Sequence, residues 1–447
     1  MLDYLLNLTL TQMGFWITWA MIPIVVEIVP SLISAVRLII RSGHLKRLPA
    51  PAKLPFISII VPVYNSEDTL FACLQSINDS TFPNSNMQIV LADNQSTDDS
   101  FSAYAKAQNR FNLNMQLIRT DQGKAKALNG AIYQCIGTYI INIDSDGVLE
   151  KHALMNMVLH FENDLELAAL TGTILTQKDL IKTTKSRWLR FLQKTEYFEY
   201  AQAFLSGRTI ESDNNQLFTM SGAFSAFRKD TLLDTFMYNT STVGEDTDMT
   251  FQVRQRLKRK VMLCADAIFY IEPLASVEQL YKQRQRWMRG ELEVSQEYMH
   301  HNAQLGKFFQ NFLVRRMMID HTFVFPKMIW MFASIVLLFF RYSPVVLSFS
   351  YVVIYLLYVF VSAINFISVG RLLRPFPLEL KFYKRVSWVI WSLPLYNFVV
   401  SWIRLIGVIN SMSLPGVWNT STFTAEVRSA VKIVRGDVRS LREKKKE

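Results

Sequence analysis

"TYIINIDSDG" (residues 138–147) is an apolar, β-branched run that ends on two aspartates, Asp144 and Asp146, before a glycine turns the chain. Its first six residues read as a buried strand. Such a strand delivers two carboxylates, at i and i+2, to its carboxyl end. Hard divalent cations prefer carboxylate oxygen, and Mg²⁺ is commonly held by one or two carboxylates together with substrate phosphates. A solvated Asx turn accounts for the same residues. An EF-hand does not, because glycine comes at the fourth loop position rather than the sixth and Met155 occupies the twelfth.

Outward from this stretch, strand and helix patterns alternate. "ISIIVPV" (57–63), "QIVLA" (88–92) and "NMQLIR" (114–119) read as further strands. Helical patterns cover about 67–78 and "KAKALNGAIYQC" (124–135), and "DNQSTDDS" (93–100) carries turn and N-cap chemistry that opens another helix. This β-α-β-α order predicts an α/β domain built on a mostly parallel, doubly wound sheet. In such sheets ligands bind beyond the carboxyl ends of the strands. Polar residues collect there: Tyr64 and Asn65 after the first strand, Asp93 after the second, Asp144 and Asp146 after the fourth. Neither a P-loop nor a Gly-x-Gly-x-x-Gly fingerprint is present, which excludes a Walker NTPase and a Rossmann dehydrogenase.

Two later motifs carry chemistry. "VGEDTDM" (243–249) sets three carboxylates ahead of the helical pattern "MTFQVRQRLKR". They serve either to cap that helix or to supply a carboxylate that takes a proton from an attacking hydroxyl. "YKQRQRWMRG" (281–290) is rich in cations, yet on a helix Gln283, Arg286 and Trp287 fall at i, i+3 and i+4 and share one face. Leu280, Gly290 and Val294 continue that stripe. Lys282, Arg284 and Arg289 are expected to point elsewhere, toward lipid or solvent.

The 447 residues are half hydrophobic, with mean hydropathy +0.14 and a net charge of +11. Apolar runs flank the middle domain at 14–40, 321–340, 343–370 and 386–410. Each is long enough to cross, or nearly cross, about 30 Å of hydrocarbon. The first cation is Arg37, so the start lacks the basic segment of a signal peptide. Arg37, Arg41, Lys46, Arg47 and Lys53 follow the first run, and "RLLRPFPLELKFYKR" (371–385) separates the last two. By the positive-inside rule the middle domain and the basic tail are cytosolic. Three crossings after the domain would put that tail outside. The run containing Pro394 is therefore expected to be re-entrant or interfacial, or else 310–326 holds an extra membrane element. Glu27 within the first run either faces other helices or lines a polar conduit. Charge so placed serves a membrane surface, and nucleic acid is not an expected partner. Three scattered cysteines (Cys73, Cys135, Cys264) fit neither a disulfide framework nor structural zinc, and suit a reducing compartment.

Together, "VPVYN", "ADNQSTDDS", "QGKAKALNGA", "IDSDG", "TMSGAFSAFRK", "GED" and "QRQRW" stand in the order found in family 2 glycosyltransferases. From about Ser58 to Val294 the chain resembles the inverting, metal-dependent, processive membrane branch: the cellulose, chitin, hyaluronan and poly-N-acetylglucosamine synthases. The wording of three motifs is most similar to the last of these. The resemblance implies a GT-A glycosyltransferase domain between transmembrane helices, in a multi-pass protein of the cell membrane. The expected organisation is a transmembrane helix in 1–48, the cytosolic GT-A domain in 49–300, interfacial and transmembrane helices in 301–411, and a basic cytosolic tail in 412–447.

The same resemblance implies residue roles. Tyr64 and Asp93 would hold the uracil, and Lys124 would lie near the nucleotide. Asp144 and Asp146 would bind Mg²⁺ or Mn²⁺ on the diphosphate, with Asp146 the direct ligand. Asp246 would be the general base, with Glu245 beside it. Ser221 and Gly222 would line the acceptor path, with Gln283, Arg286 and Trp287 at the carbohydrate. The implied partners are a UDP-sugar donor (UDP-N-acetylglucosamine foremost), a polysaccharide acceptor, membrane lipids and, for export, an accessory membrane subunit. A non-processive enzyme adding one sugar to a lipid-linked or short acceptor is the alternative. The chain departs from the family pattern in two places. Gly244-Glu245-Asp246 replaces Thr-Glu-Asp, and "GVWNTSTF" (416–423), with Trp418, stands where Trp-Gly-Thr is usual. The tail is too short for a cyclic-di-GMP-binding domain.

Overall fold

The computed structural model describes residues 24, 28–41, 48–299, 331, 343–411, 428 and 431. They belong to two units, one globular (48–299) and one helical (the remainder). Glu27, the apolar run 321–340 (apart from residue 331), residues 310–326 and Trp418 lie outside the described residues.

The helical unit begins with α1 (Val29–Arg41). The globular unit then runs β1 (Ile57–Val63), α2 (Leu70–Asn78), β2 (Met87–Asp93), α3 (Ser100–Arg110), β3 (Asn114–Arg119), α4 (Lys124–Ile132) and β4 (Tyr139–Ile143). Next come β5 (Gly147–Leu149), α5 (Ala153–Asn163), β6 (Leu167–Thr176), α6 (Lys178–Thr183) and α7 (Arg187–Tyr200). A π-helical turn, Ala201–Gly207, leads into α8 (Arg208–Asp213), β7 (Phe224–Arg228) and α9 (Lys229–Leu233). The unit ends with α10 (Glu245–Phe251), β8 (Lys260–Ile271) and α11 (Val277–Met299).

The strands form one sheet in the order β3-β2-β1-β4-β7-β6-β8-β5. All of β1, β4 and β6 is buried, as expected of apolar runs covered on both faces. Along β1, Ile57, Ile59, Val61 and Val63 join a core with Leu70, Leu74 and Ile77 of α2 and with Phe161 of α5. Ile60 joins a second core with Ala127, Leu128, Ala131 and Ile132 of α4. The period-two alternation thus feeds both faces, as in a doubly wound sheet.

The expectation of a mostly parallel sheet needs correcting to a mixed one. The pairings β3-β2, β2-β1, β1-β4 and β6-β8 are parallel, whereas β4-β7, β7-β6 and β8-β5 are antiparallel. Strands β5 and β7 oppose the other six. Strand β5 follows β4 through a tight turn, whereas β7 is reached from β6 through α6, α7, the π-helical turn and α8, a helical link that returns the chain antiparallel. A same-direction neighbour needs a crossover of a dozen or more residues, which the helical pattern between β1 and β4 supplied. Strand order reverses between β1 and β4, so the switch-point crevice lies beyond their carboxyl ends, where Tyr64 and Asp144 stand.

In the helical unit, α12 (Pro344–Leu372), α13 (Pro377–Arg385) and α14 (Val389–Ser411) follow. Among the described residues, two helices, Pro344–Leu372 and Val389–Ile406, are long and apolar enough to cross a membrane. Ser368 of α12 donates to the Ala35 carbonyl of α1 at 3.3 Å, and Tyr355 donates to the Trp391 carbonyl of α14 at 2.7 Å. Helix α14 continues through Pro394.

Candidate active site

A cavity of about 290 Å³ opens at the carboxyl edge of the sheet. Its lining includes ten of the twelve residues singled out from the sequence: Lys124, Asp144, Asp146, Ser221, Gly222, Glu245, Asp246, Gln283, Arg286 and Trp287. They come from segments up to 163 positions apart, Lys124 to Trp287, joined only by the fold. Tyr64 and Asp93 are not in the lining. They end β1 and β2 on the same edge, Val63 pairing with Asp93 in register. The loops that follow interlock: Asn65 accepts from the Thr97 amide at 2.8 Å, and Asp98 accepts from the Glu67 amide at 2.9 Å. Asp93 accepts from the Ser96 amide at 3.0 Å, and the Tyr64 ring is half exposed.

Each group in the cavity is placed by a specific local device. Gly123, at φ +126°, turns the chain so that Lys124 opens α4. The Lys124 ammonium lies 2.5 Å from Asp144 and donates to the Gly222 carbonyl at 3.2 Å. Burial alone would pull Lys124 down, but Asp144 and Glu245 outweigh it and hold the lysine above its ordinary value. Asp144 itself is fixed by its backbone N–H, which donates to the Ala223 carbonyl at 3.0 Å. Asp146 opens into the cavity. The apolar walls and the like charge of Asp144 push its carboxyl up to about 6.

Glu245 and Asp246 lie in the first turn of α10 rather than ahead of it. That position favours anions, and the same residues line the cavity. Asp246 Oδ2 accepts from the Gly222 N–H at 3.1 Å and Oδ1 from the Thr247 N–H at 2.7 Å. Burial and the charge of Asp246 push Glu245 up to about 7. Asp248 has a packing role: buried, it accepts from Gln252 at 2.7 Å and from Tyr298 at 3.1 Å.

Helix α11 presents Gln283, Arg286, Trp287 and Gly290 to the cavity, as their shared face predicts. The expectation for Arg284 and Arg289 fails, since both are buried. Arg284 pairs with Glu199 at 2.5 Å and lies over the Trp287 ring, 4.5 Å from its centroid. Helix α11 packs on α7 as well as on the site, so two faces are buried instead of one. Of the three cations, Lys282 alone faces outward, paired with Glu278. Gly244 touches Gly290 so closely that a Cβ on either would meet the other's backbone at 2.8 Å or less. The glycine that replaces threonine before Glu-Asp therefore has a packing reason.

Sequence reasoning missed Tyr200, Phe204, Arg208, Glu272 and Glu291, which also line the cavity. Glu291 was findable as i+4 from Trp287 and Glu272 as the residue after β8. Nothing local marks Arg208.

The donor set of Asp144 and Asp146 is hard oxygen, suited to Mg²⁺ or Mn²⁺. Asp144 is engaged by Lys124 through Oδ1, and Asp146 lines the cavity beside it.

Residues 58–236 match the model of the family described as Glycosyl transferase family 2. The poly-beta-1,6-N-acetyl-D-glucosamine synthase of Staphylococcus aureus (strain MSSA476) is 26% identical over 292 residues, 64% of this chain and 62% of the relative. That of Staphylococcus epidermidis is 25% identical over 238 residues, 53% of this chain and 55% of the relative. The chain therefore spans about three-fifths of the length of the curated relatives it matches. Among solved structures, the mannosyltransferase PcManGT from Pyrobaculum calidifontis, in complex with GDP-Man and Mn²⁺, is similar in fold. Its TM-score is 0.51 at 14% identity, covering 86% of this chain and 96% of that one. The matches support a family 2 hexosyltransferase, with the likeness to the glycosyltransferase family 2 model carried by residues 58–236 of this chain.

Proposed function

We propose that the chain transfers a hexose from a UDP-sugar, UDP-N-acetylglucosamine foremost, to the end of a growing β-linked polysaccharide, with inversion at the anomeric carbon. The observation that carries this reading is the lining of one cavity. Asp144, Asp146 and Lys124 line it from the end of β4 and the start of α4, and Asp246 lines it from the first turn of α10, held by two backbone N–H groups. The relatives' shared name supports the donor and the product class.

In this reading Tyr64 and Asp93 hold the uracil at the sheet edge, and Lys124 lies beside the diphosphate. Asp146, with Asp144, would hold a divalent cation, which when bound neutralises charge on the departing diphosphate. Asp246 accepts the proton of the acceptor hydroxyl as its oxygen attacks the anomeric carbon and the bond to UDP breaks on the opposite face. The proton later passes from Asp246 to water. Glu245, raised by burial and by the charge of Asp246, resists placing a second full negative charge beside it. Ser221 and Gly222 border the acceptor path, and Gln283, Arg286 and Trp287 offer an amide, a guanidinium and an indole to the sugar. The two long apolar helices support attachment to the cell membrane, with the globular unit cytosolic, the acceptor chain leaving through the membrane helices, and lipids or an accessory membrane subunit around them.

The test is a screen of UDP-sugars against the purified full chain with Mg²⁺ or Mn²⁺, reading UDP release and product size. Long products from UDP-N-acetylglucosamine support the proposal. Single-sugar additions would replace the processive reading with the non-processive one, and no UDP release from any donor would end both.

A further inference from the structure

Arg208 lines the same cavity and has no role in the reading above, on which this inference rests. It follows the π-helical turn Ala201–Gly207, a kind of irregularity that recurs at functional sites. Its side chain is 8% exposed, and among the described residues Nη1 has no hydrogen-bond partner. An unsatisfied donor on a buried cation is costly and persists where something else completes it.

The surroundings narrow what that something is. Burial pulls Arg208 below its ordinary value, opposed by Glu211, Asp246 and Glu291. The charges acting on Asp146 are instead Asp144, Lys124 and Glu272. Arg208 thus lines the same cavity as Asp246 and feels its charge. Its guanidinium packs over the Phe204 ring, 4.6 Å from the centroid, and Phe204 meets Trp287 edge-on at 5.8 Å. Aromatic faces next to an open donor suit a sugar, which has one apolar C–H face and a rim of oxygens.

We propose that Arg208 is a positioning residue for the acceptor. Its Nη1 donates a hydrogen bond to an oxygen of the acceptor's terminal sugar, whose apolar face lies toward Phe204 and Trp287. That contact holds the reacting hydroxyl at Asp246.

The test uses the full chain with the donor that the wild type turns over and a short oligosaccharide of the same sugar as acceptor. Arg208→Met should raise the acceptor KM roughly 10- to 100-fold, the range for a lost hydrogen bond to a charged group. The UDP Kd and the donor KM should stay within about twofold, because Lys124, Asp144 and Asp146 are untouched. Arg208→Lys, which keeps the charge without the fork, should fall between, and it carries the same test if the methionine variant does not fold. An active wild type whose variants keep the acceptor KM, or weaken UDP as much as acceptor, overturns this proposal alone. A wild type that turns over no UDP-sugar overturns the functional reading and this proposal with it.

Discussion

The backbone N–H of Gly222 donates to Asp246 Oδ2 at 3.1 Å, and a Cβ on residue 222 would stand 3.2 Å from that same oxygen. The glycine is what lets the carboxylate come this close. Gly222→Ala should displace the Asp246 carboxylate by a few tenths of an ångström and lower kcat about 10- to 100-fold, since small misplacements of a reacting group are expensive. UDP affinity and the far-UV circular dichroism should match the wild type. Steady-state kinetics beside isothermal calorimetry decide it, and an unchanged kcat would detach Gly222 from the site.

Lys124 bridges Asp144 and the Gly222 carbonyl. Lys124→Met removes the cation that offsets Asp144, Asp146 and Glu245. UDP binding should weaken roughly tenfold or more, as for a lost charge-assisted contact to phosphate. Calorimetric titration with UDP reads this directly; equal affinity in the variant would contradict a place for Lys124 beside the diphosphate.

Gly244 and Gly290 lock the start of α10 against α11 through backbone contact. Gly244→Thr, which restores the usual family residue, should force the two apart and cost activity and stability together, with a loss of about 1–3 kcal/mol typical of overpacking. Gly244→Ala should do the same to a smaller degree. Thermal melting and kcat are the readouts. A threonine variant as stable and active as the wild type would show that the loop relaxes freely.

Glu196 is buried, and burial pushes it up to about 8; its neighbours Arg284 and Glu199 act in opposite senses, while the Leu274 N–H donates to it at 3.0 Å. A carboxyl raised in this way contributes stability that is fully present below its unfolded value and is lost as pH rises through the folded one. The wild type should therefore melt at lower temperature at pH 8.5 than at pH 5, partly on account of Glu196. Glu196→Gln, which keeps an acceptor for Leu274, should be flatter across that range and more stable than the wild type at the alkaline end. Parallel slopes for the two proteins would remove Glu196 from the pH dependence.

Much of the site was legible because its residues sit where chain pattern and chemistry coincide. Asp144 and Asp146 end an unbroken apolar strand, and Gln283, Arg286 and Trp287 share one helical face. The misses have physical reasons. Strand β5 runs against the others because only a tight turn precedes it, and β7 does so although α6, α7 and α8 precede it, a direction that neither local β-propensity nor helix order encodes. Arg284 and Arg289 were placed outside by their charge, yet Glu199, distant in sequence, and the Trp287 ring one turn along the helix make burial of Arg284 tolerable. Arg208 was invisible for the same reason: one arginine in "FLSGRTIE" has no pattern until the fold sets it beside Asp246.

The most direct test of the central claim is UDP release by Asp246→Asn, measured together with its affinity for UDP. The asparagine can still accept from one of the two N–H groups, that of Gly222 or of Thr247, through its one carbonyl oxygen, but cannot take a proton from the acceptor. Transfer should fall by about 100-fold or more, the scale of general-base catalysis, with the UDP Kd within about twofold of the wild type. Near-normal turnover in that variant would contradict the assignment of Asp246 as the base, and with it the reading of the cavity on which the proposed reaction rests.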